Sequence, residues 1–249
     1  TWEVAQSDAG QIVAKAVKEG KIDKAEAAAI LTEAKAENWG ALLNEGKLGI
    51  LAALRNIRNI MKTVADQKVY TDLCALLSDP EAIRKGKIMP YQIDLANEVI
   101  NTEFKGGNQR QISASLLKGY TAAVPNLAEM LPGRNLVMID FSGSMTTPMV
   151  DGASRGNRYS STCSDKAALI AATIAKATNA DIVRFGSGAN DFHWNANDDV
   201  FTIASKMKCD MGGTSLSSAW DHVSRSGKKY DRVFILSDNE CNRGNSYSA

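Results

Sequence analysis

Asp140, Ser142 and Ser144 occupy alternate positions directly after four apolar residues in "LVMIDFSGSM" (136–145). Two more oxygen-bearing side chains stand in comparable places: Thr214 in "GGTS", ahead of a helical pattern, and Asp238 at the end of "RVFILSD". Two carboxylates and three hydroxyls, with no imidazole or thiol among them, are a donor set for a hard divalent cation. Magnesium is the first expectation, with manganese or calcium as alternatives. Mg2+ takes an octahedron of oxygens, keeps several waters and needs only one or two carboxylates from protein. A position held by water is then open to an outside acid or phosphate oxygen. Each piece also has a plainer reading: D-x-S-x-S as a hydroxyl-rich turn, Thr214 as a helix N-cap, Asp238 as a loop residue. Their joint occurrence at the ends of successive strands is what argues for one shared site.

Such a site needs a sheet whose strands run the same way, because ligands gather outside the carboxyl ends of parallel strands. Apolar strand candidates at 135–140, 181–186, 190–194 and 231–237 alternate with helical segments at 164–179 and 215–226. That alternation predicts an α/β, Rossmann-like layer with a mostly parallel sheet covered on both faces. The stretch 146–164 is long and hydroxyl-rich and carries Arg155 and Arg158. It reads as a loop at the site's rim, either a mobile element that touches phosphate or a partner, or a disordered segment.

The first half has a different period. Apolar residues recur every three or four positions up to about residue 130, and Pro132-Gly133 marks the change. Asp23 with Glu26 resembles a capping box, and Asp79-Pro80-Glu81 places a cap before a proline at the first helical position. Helices are expected at 47–62, 69–77, 90–103 and 109–123, as a helical-hairpin array with short connections. In "KLGILAALRNIRNIMK" (47–62) the core face is read as Leu48, Leu51, Leu54, Ile57 and Met61, with Ala52 and Ile60 as alternates. Arg55, Arg58 and Lys62 form a basic stripe on another face. Taken alone, such a stripe is a solvated surface.

Bulk composition excludes several classes. The 249 residues carry 29 Lys/Arg and 28 Asp/Glu. Divided at residue 133, they split as 16 against 16 and 13 against 12, so neither half is polarised. A nucleic-acid partner must therefore be argued from local patches. No apolar run is long enough for a membrane span. The four cysteines, Cys74, Cys163, Cys209 and Cys241, lie far apart with no C-x-x-C pair, and His193 and His222 sit near none of them in a finger-like pattern, which argues against zinc and for reduced thiols in a cytoplasmic protein. Catalysis has little support: there is no G-x-S-x-G elbow, Asp140 would repel an oxyanion at Ser142, and a metal nuclease wants more converging acids. The chain opens on Thr1 rather than methionine, so the numbering is expected to begin inside a longer protein.

Residues 135–238 resemble a von Willebrand factor type A domain. Its metal-ion-dependent adhesion site is D-x-S-x-S, then threonine, then aspartate, which match Asp140, Ser142, Ser144, Thr214 and Asp238. Further, "TWE" (1–3), "LAALRNIRNI" (51–60), "GGTSLS" (212–217) and "VFILSDNE" (233–240) resemble the Ro autoantigen, or TROVE, family. The resemblance implies a HEAT-like helical-repeat region, here its C-terminal part over 1–130, followed by an A domain over 134–249 that is incomplete at its C-terminus. It also implies a ring that binds small noncoding Y-like RNA on its outer surface and takes single-stranded ends of misfolded RNA into its hole. The family's helical part is longer and its A domain continues past the Asp238 position, so the intact protein is expected to be larger. RNA-facing candidates, chosen by charge and spacing rather than by family contacts, are Arg55, Arg58 and Lys62, then Lys85, Lys87, Lys105 and Arg110. No enzyme activity, DNA or membrane partner is expected. The alternative function is a metal-dependent protein-binding module of the adhesion or chaperone-associated kind.

Overall fold

The structure, a computed structural model, describes residues 2–150 and 158–239. It divides into two compact units, Thr1–Ala122 and Ala123–Ala249. The division falls inside a helix, a few residues before the Pro132-Gly133 turn.

The first unit is helical: α1 (Trp2–Lys18), α2 (Lys24–Asn44), α3 (Ile50–Thr63), α4 (Gln67–Ser78), α5 (Pro80–Lys85), α6 (Pro90–Glu103) and α7 (Gly107–Ala128), which runs on into the second unit. The cap signals act as expected. Asp23 accepts from the Ala25 and Glu26 amides while Glu26 reaches back to the Asp23 amide, and Asp79 accepts from Glu81 ahead of Pro80. Side-chain contacts fix the directions of four helices. Arg58 and Lys62 at the end of α3 both reach Glu103 at the end of α6, and the Gly86 turn before α6 packs against Ile50 at the start of α3, so α3 and α6 run side by side in one direction. Likewise Gln67 bonds Gln111, and the Leu77 carbonyl lies where a Cβ on Gly119 would meet it at 2.2 Å, so α4 and α7 are parallel and only glycine allows their approach. Asn97–Ser113 and Asn101–Gln109 bonds fold α6 back on α7. Two hairpins, α3–α4 and α6–α7, therefore stack in the same sense. The buried face of α3 is Ile50, Ala53, Leu54, Ile57 and Ile60, with Leu51 and Met61 half-buried. The core stripe is thus turned by one residue from the one read in sequence, toward the Ile60 alternate.

In the second unit, β1 (Asn135–Asp140) is central and entirely buried. It is followed by a 3-10 turn (Gly143–Thr146), β2 (Pro148–Val150), β3 (Arg158–Thr162), α8 (Cys163–Thr178), β4 (Asp181–Phe185), β5 (Ala189–Phe192), α9 (Val200–Met207), α10 (Leu216–Ser226) and β6 (Arg232–Leu236). The sheet order is β5-β4-β1-β6, with β4 and β6 parallel to β1 and β5 antiparallel to β4. Two expectations need correction. Part of the supposed 146–164 loop is strand, β2 pairing antiparallel with β3, and α9 had not been foreseen. Arg155, the Arg158 side chain and Cys241 lie outside the described residues.

Leu136, Met138, Val183 and Phe185 pack under Ala219 and Val223 of α10. At the amino ends of the strands Asp181 accepts from Arg134, Lys228 and Tyr230. Burial would raise the Asp181 carboxyl, but these donors hold it below its ordinary range, while burial and the neighbouring Asp181 push the Tyr230 phenol up. This cluster holds the end of the sheet opposite Asp140. Among the described residues no helix is long and apolar enough to cross a membrane.

Candidate functional site

β1 delivers Asp140 to the carboxyl edge of the sheet, where it is 0% exposed. Its Oδ1 accepts the Ser142 amide at 2.8 Å and its Oδ2 accepts the Ser237 hydroxyl at 2.9 Å. Among the described residues no Lys, Arg or His makes an ion pair with it. A buried carboxylate held only by neutral donors lacks the countercharge that burial normally requires. Ser142 Oγ and Ser144 Oγ lie 3.1 Å apart. Adjacent oxygens of an Mg2+ octahedron are about 3.0 Å apart when each is about 2.1 Å from the ion. The two hydroxyls are thus already spaced like neighbouring ligands of a small cation.

Three loops close on this point through backbone hydrogen bonds. Phe141 N–H donates to the Phe185 carbonyl, Gly143 N–H to Gly212, and Met211 N–H to Phe141. From the second loop Ser187 N–H donates to Met211, while Ser215 N–H donates to Gly186 and Gly213 N–H to Ser187 Oγ. Gly186 is required here, since a Cβ on it would meet the Met211 Cβ at 2.4 Å and its carbonyl oxygen at 2.5 Å. Thr214, 2% exposed, is carried on this clamped segment beside the Asp140 turn. Its neighbour Ser215 is the N-cap of α10 and accepts from the Ser218 amide, so the capping role considered for Thr214 falls to the next residue. Asp238 follows Ser237 directly, and the Ser237–Asp140 bond brings that strand end to the same place.

The sequence reading missed Ser237, although it stands in the quoted "RVFILSD"; a hydroxyl one residue before the acid was the available signal. It also missed a cleft of ≈ 500 Å³ lined by Ser142, Gly143, Thr146, Ser164, Lys208 and Asp210. Lys208 pairs with Asp165 at 2.7 Å. Burial would raise the Asp165 carboxyl, but Lys208 and the Thr162 hydroxyl and amide hold it low. Among the described residues no triad forms around Ser142: its hydroxyl bonds Ser144, and His222 pairs with Asp191 at 3.2 Å. Among the described residues no three His, Cys, Asp or Glu side chains converge as a metal site. A cation here would rest on the hydroxyls and Asp140 with Asp238.

The basic candidates sit in the helical unit. Arg55, Arg58 and Lys62 are exposed along α3, with Arg58 and Lys62 held by Glu103. Lys85 ends α5, Lys87 has a left-handed backbone (φ 48), Lys105 donates to the Asn101 carbonyl, and Arg110 is exposed in the first turn of α7. They do not gather at one point: the stripe lies on α3, while the others are spread over separate turns.

The sequence model of the TROVE domain family matches residues 14–169. The chain belongs to the TROVE domain family. The TROVE match runs from α1 through β1 and the D-x-S-x-S turn into α8, and ends before Thr214 and Asp238. In three dimensions this TROVE chain is similar to the crystal structure of the Deinococcus radiodurans Ro (RSR) protein, with 22% sequence identity and a TM-score of 0.69, over 89% of this chain and 48% of that one. The likeness shows a shared fold, and the chain spans about half the length of that protein. A comparison with curated proteins finds no match.

Proposed function

We propose that this TROVE chain binds RNA in the manner of Ro proteins, small noncoding Y-like RNA and the single-stranded ends of misfolded RNA, with a divalent-cation site in a von Willebrand factor A-type second unit. Membership of the TROVE family, which implies RNA binding, supports the first part, and so do two helical hairpins stacked in one sense, the arrangement of a HEAT-like array. The observation that supports the second part is Asp140: a fully buried carboxylate with no ion-pair partner among the described residues, just ahead of two hydroxyls at ligand spacing. Asp140, Ser142, Ser144, Thr214 and Asp238 would hold the ion, Mg2+ first, with Mn2+ or Ca2+ as alternatives. Bound there, the ion supplies a Lewis-acidic position for an outside oxygen. The protein's own part is to orient Asp140 through Ser142 and Ser237 and to clamp the Thr214 segment through Gly186 and Gly212. Binding rather than catalysis is the activity in this reading, and free Cys74, Cys163 and Cys209 suit a reducing, cytoplasmic setting.

The open cleft beside Ser142, with Lys208 on its wall, favours a second reading in which the ion and cleft capture an acidic side chain of a protein partner. Titration with Mn2+, followed by electron paramagnetic resonance, should show one site in the native chain and none in Asp140→Ala; equal binding by both removes the site. Gel-shift titrations with and without EDTA then separate the readings. RNA affinity that survives chelation, beside a protein interaction that does not, assigns the ion to protein binding.

A further inference from the structure

The helix α6 carries two apolar stripes and uses only one for the core. Ile93, Ala96 and Ile100 are buried, whereas Tyr91 and Leu95, one turn apart on another face, are 62% and 54% exposed. Because α3 runs alongside in the same direction, this second stripe faces Leu51 and Leu54 across a groove of ≈ 380 Å³. The far end of the α3–α6 pair is closed by Arg58 and Lys62 on Glu103. The near end is open, and Arg55 lines it without an ion pair or hydrogen bond to any described residue. Among the described residues no acid lines the groove; its other polar groups are Arg58, which is paired with Glu103, and Gln92, whose side-chain oxygen is engaged by the Met89 amide.

An exposed aromatic ring, an aliphatic floor and an unspent guanidinium within one groove match the two chemistries of a single-stranded nucleotide, a flat π-face and a phosphate. An apolar peptide helix would satisfy Leu95 and Leu51 but would bury Arg55 without a partner, which is costly. We infer that the α3–α6 groove is a base-stacking subsite for single-stranded RNA, Tyr91 stacking on a base and Arg55 contacting the adjoining phosphate; the inference rests on the RNA-binding reading above and names a place for it. Stacking of this kind tolerates any base, so the subsite contributes affinity rather than sequence preference.

The test uses the full chain and a short oligoadenylate carrying one 2-aminopurine, whose fluorescence reports stacking. Tyr91→Ala should lose the fluorescence change and weaken binding roughly five- to hundredfold, while Tyr91→Phe, which keeps the ring, retains both. Arg55→Gln should keep the fluorescence change and lower the slope of log affinity against log salt by about 0.7, as loss of one phosphate contact to a single strand requires. Both residues are exposed, so circular dichroism is expected to be unchanged. If the native chain binds the oligonucleotide and Tyr91→Ala binds it equally well, the subsite is refuted while RNA binding stands. If Tyr91→Phe fails like Tyr91→Ala, the hydroxyl rather than the ring is the contact and stacking is refuted. If the native chain does not bind, the RNA reading falls and takes this one with it.

Discussion

Ser237 shows how one hydroxyl sets the behaviour of a carboxylate several strands of sequence away. Its Oγ holds Asp140 Oδ2 at 2.9 Å while the Ser142 amide holds Oδ1, so the carboxylate plane is fixed by the protein itself, as the proposed cation site requires. Groups that orient a metal ligand from behind typically alter affinity by about 10- to 100-fold when removed. Ser237→Ala is therefore expected to weaken Mn2+ binding within that range and leave the fold intact, as read by titration beside a denaturation curve. Gly186 acts through the backbone instead. A methyl there meets Met211 well inside contact distance, so Gly186→Ala should push the 209–215 segment away from the Asp140 turn. Stability should drop by about 1–3 kcal/mol, as for other overpacked sites, and cation affinity should fall with it. These roles were hard to read in sequence. D-x-S-x-S, Thr214 and Asp238 announce themselves by residue type and position after apolar runs. Ser237 and Gly186 act through partners distant in sequence, Asp140 and Met211, 97 and 25 residues away respectively, that only the strand order brings close.

Among the elements, legibility followed length and hydrophobic contrast. β1 covers the expected 135–140, its apolar run flanked by Asn135 and Asp140, and α6 spans the residues that its period marks. The helix α9 was overlooked because it has only 8 residues, too few for periodicity to stand out from chance, yet its signals were present: Asp199 as N-cap, then buried Val200, Ile203, Ala204 and Met207. The β2–β3 pair was overlooked because short polar strands carry no apolar alternation. Asp199 also gives a pH test. Its carboxylate accepts the Thr202 amide and hydroxyl, both at 2.8 Å, and the amide bond foremost holds the carboxyl below its ordinary range. A depressed native value means that the stabilisation is complete above the unfolded carboxylate range and is lost as pH falls through the native one. Asp199→Ala should cost about 1 kcal/mol near neutrality, and the native and variant denaturation curves should converge as the solution is acidified. A difference that persists at low pH would show that the cap acts without its charge.

At the scale of the whole chain, a formal net charge of +1 supplies no general positive field for the proposed RNA. Affinity has to come from local groups, and its salt dependence counts them. The α3 stripe would supply three cations by composition, but Glu103 holds two of them: Arg58 and Lys62 are each about half exposed and directed at the same carboxylate. Exposed ion pairs contribute roughly 0–1 kcal/mol to stability, so Glu103→Gln should leave the fold in place while releasing both cations. If the stripe faces RNA, that variant binds single-stranded RNA more tightly than the native chain, and its slope of log affinity against log salt steepens by up to about 1.4, twice the single-strand increment of about 0.7 per phosphate. Charge reversal at Arg55, Arg58 and Lys62 should do the opposite, weakening binding and flattening the slope. Were Glu103→Gln and the triple reversal both without effect across a salt series, the phosphates would lie elsewhere on the helical unit, with Lys85, Lys87, Lys105 and Arg110 the next cations to reverse. A change in affinity at constant slope would instead mean that Glu103 acts by fixing the spacing of α3 and α6, since moving a groove wall alters contact without altering the number of counterions released.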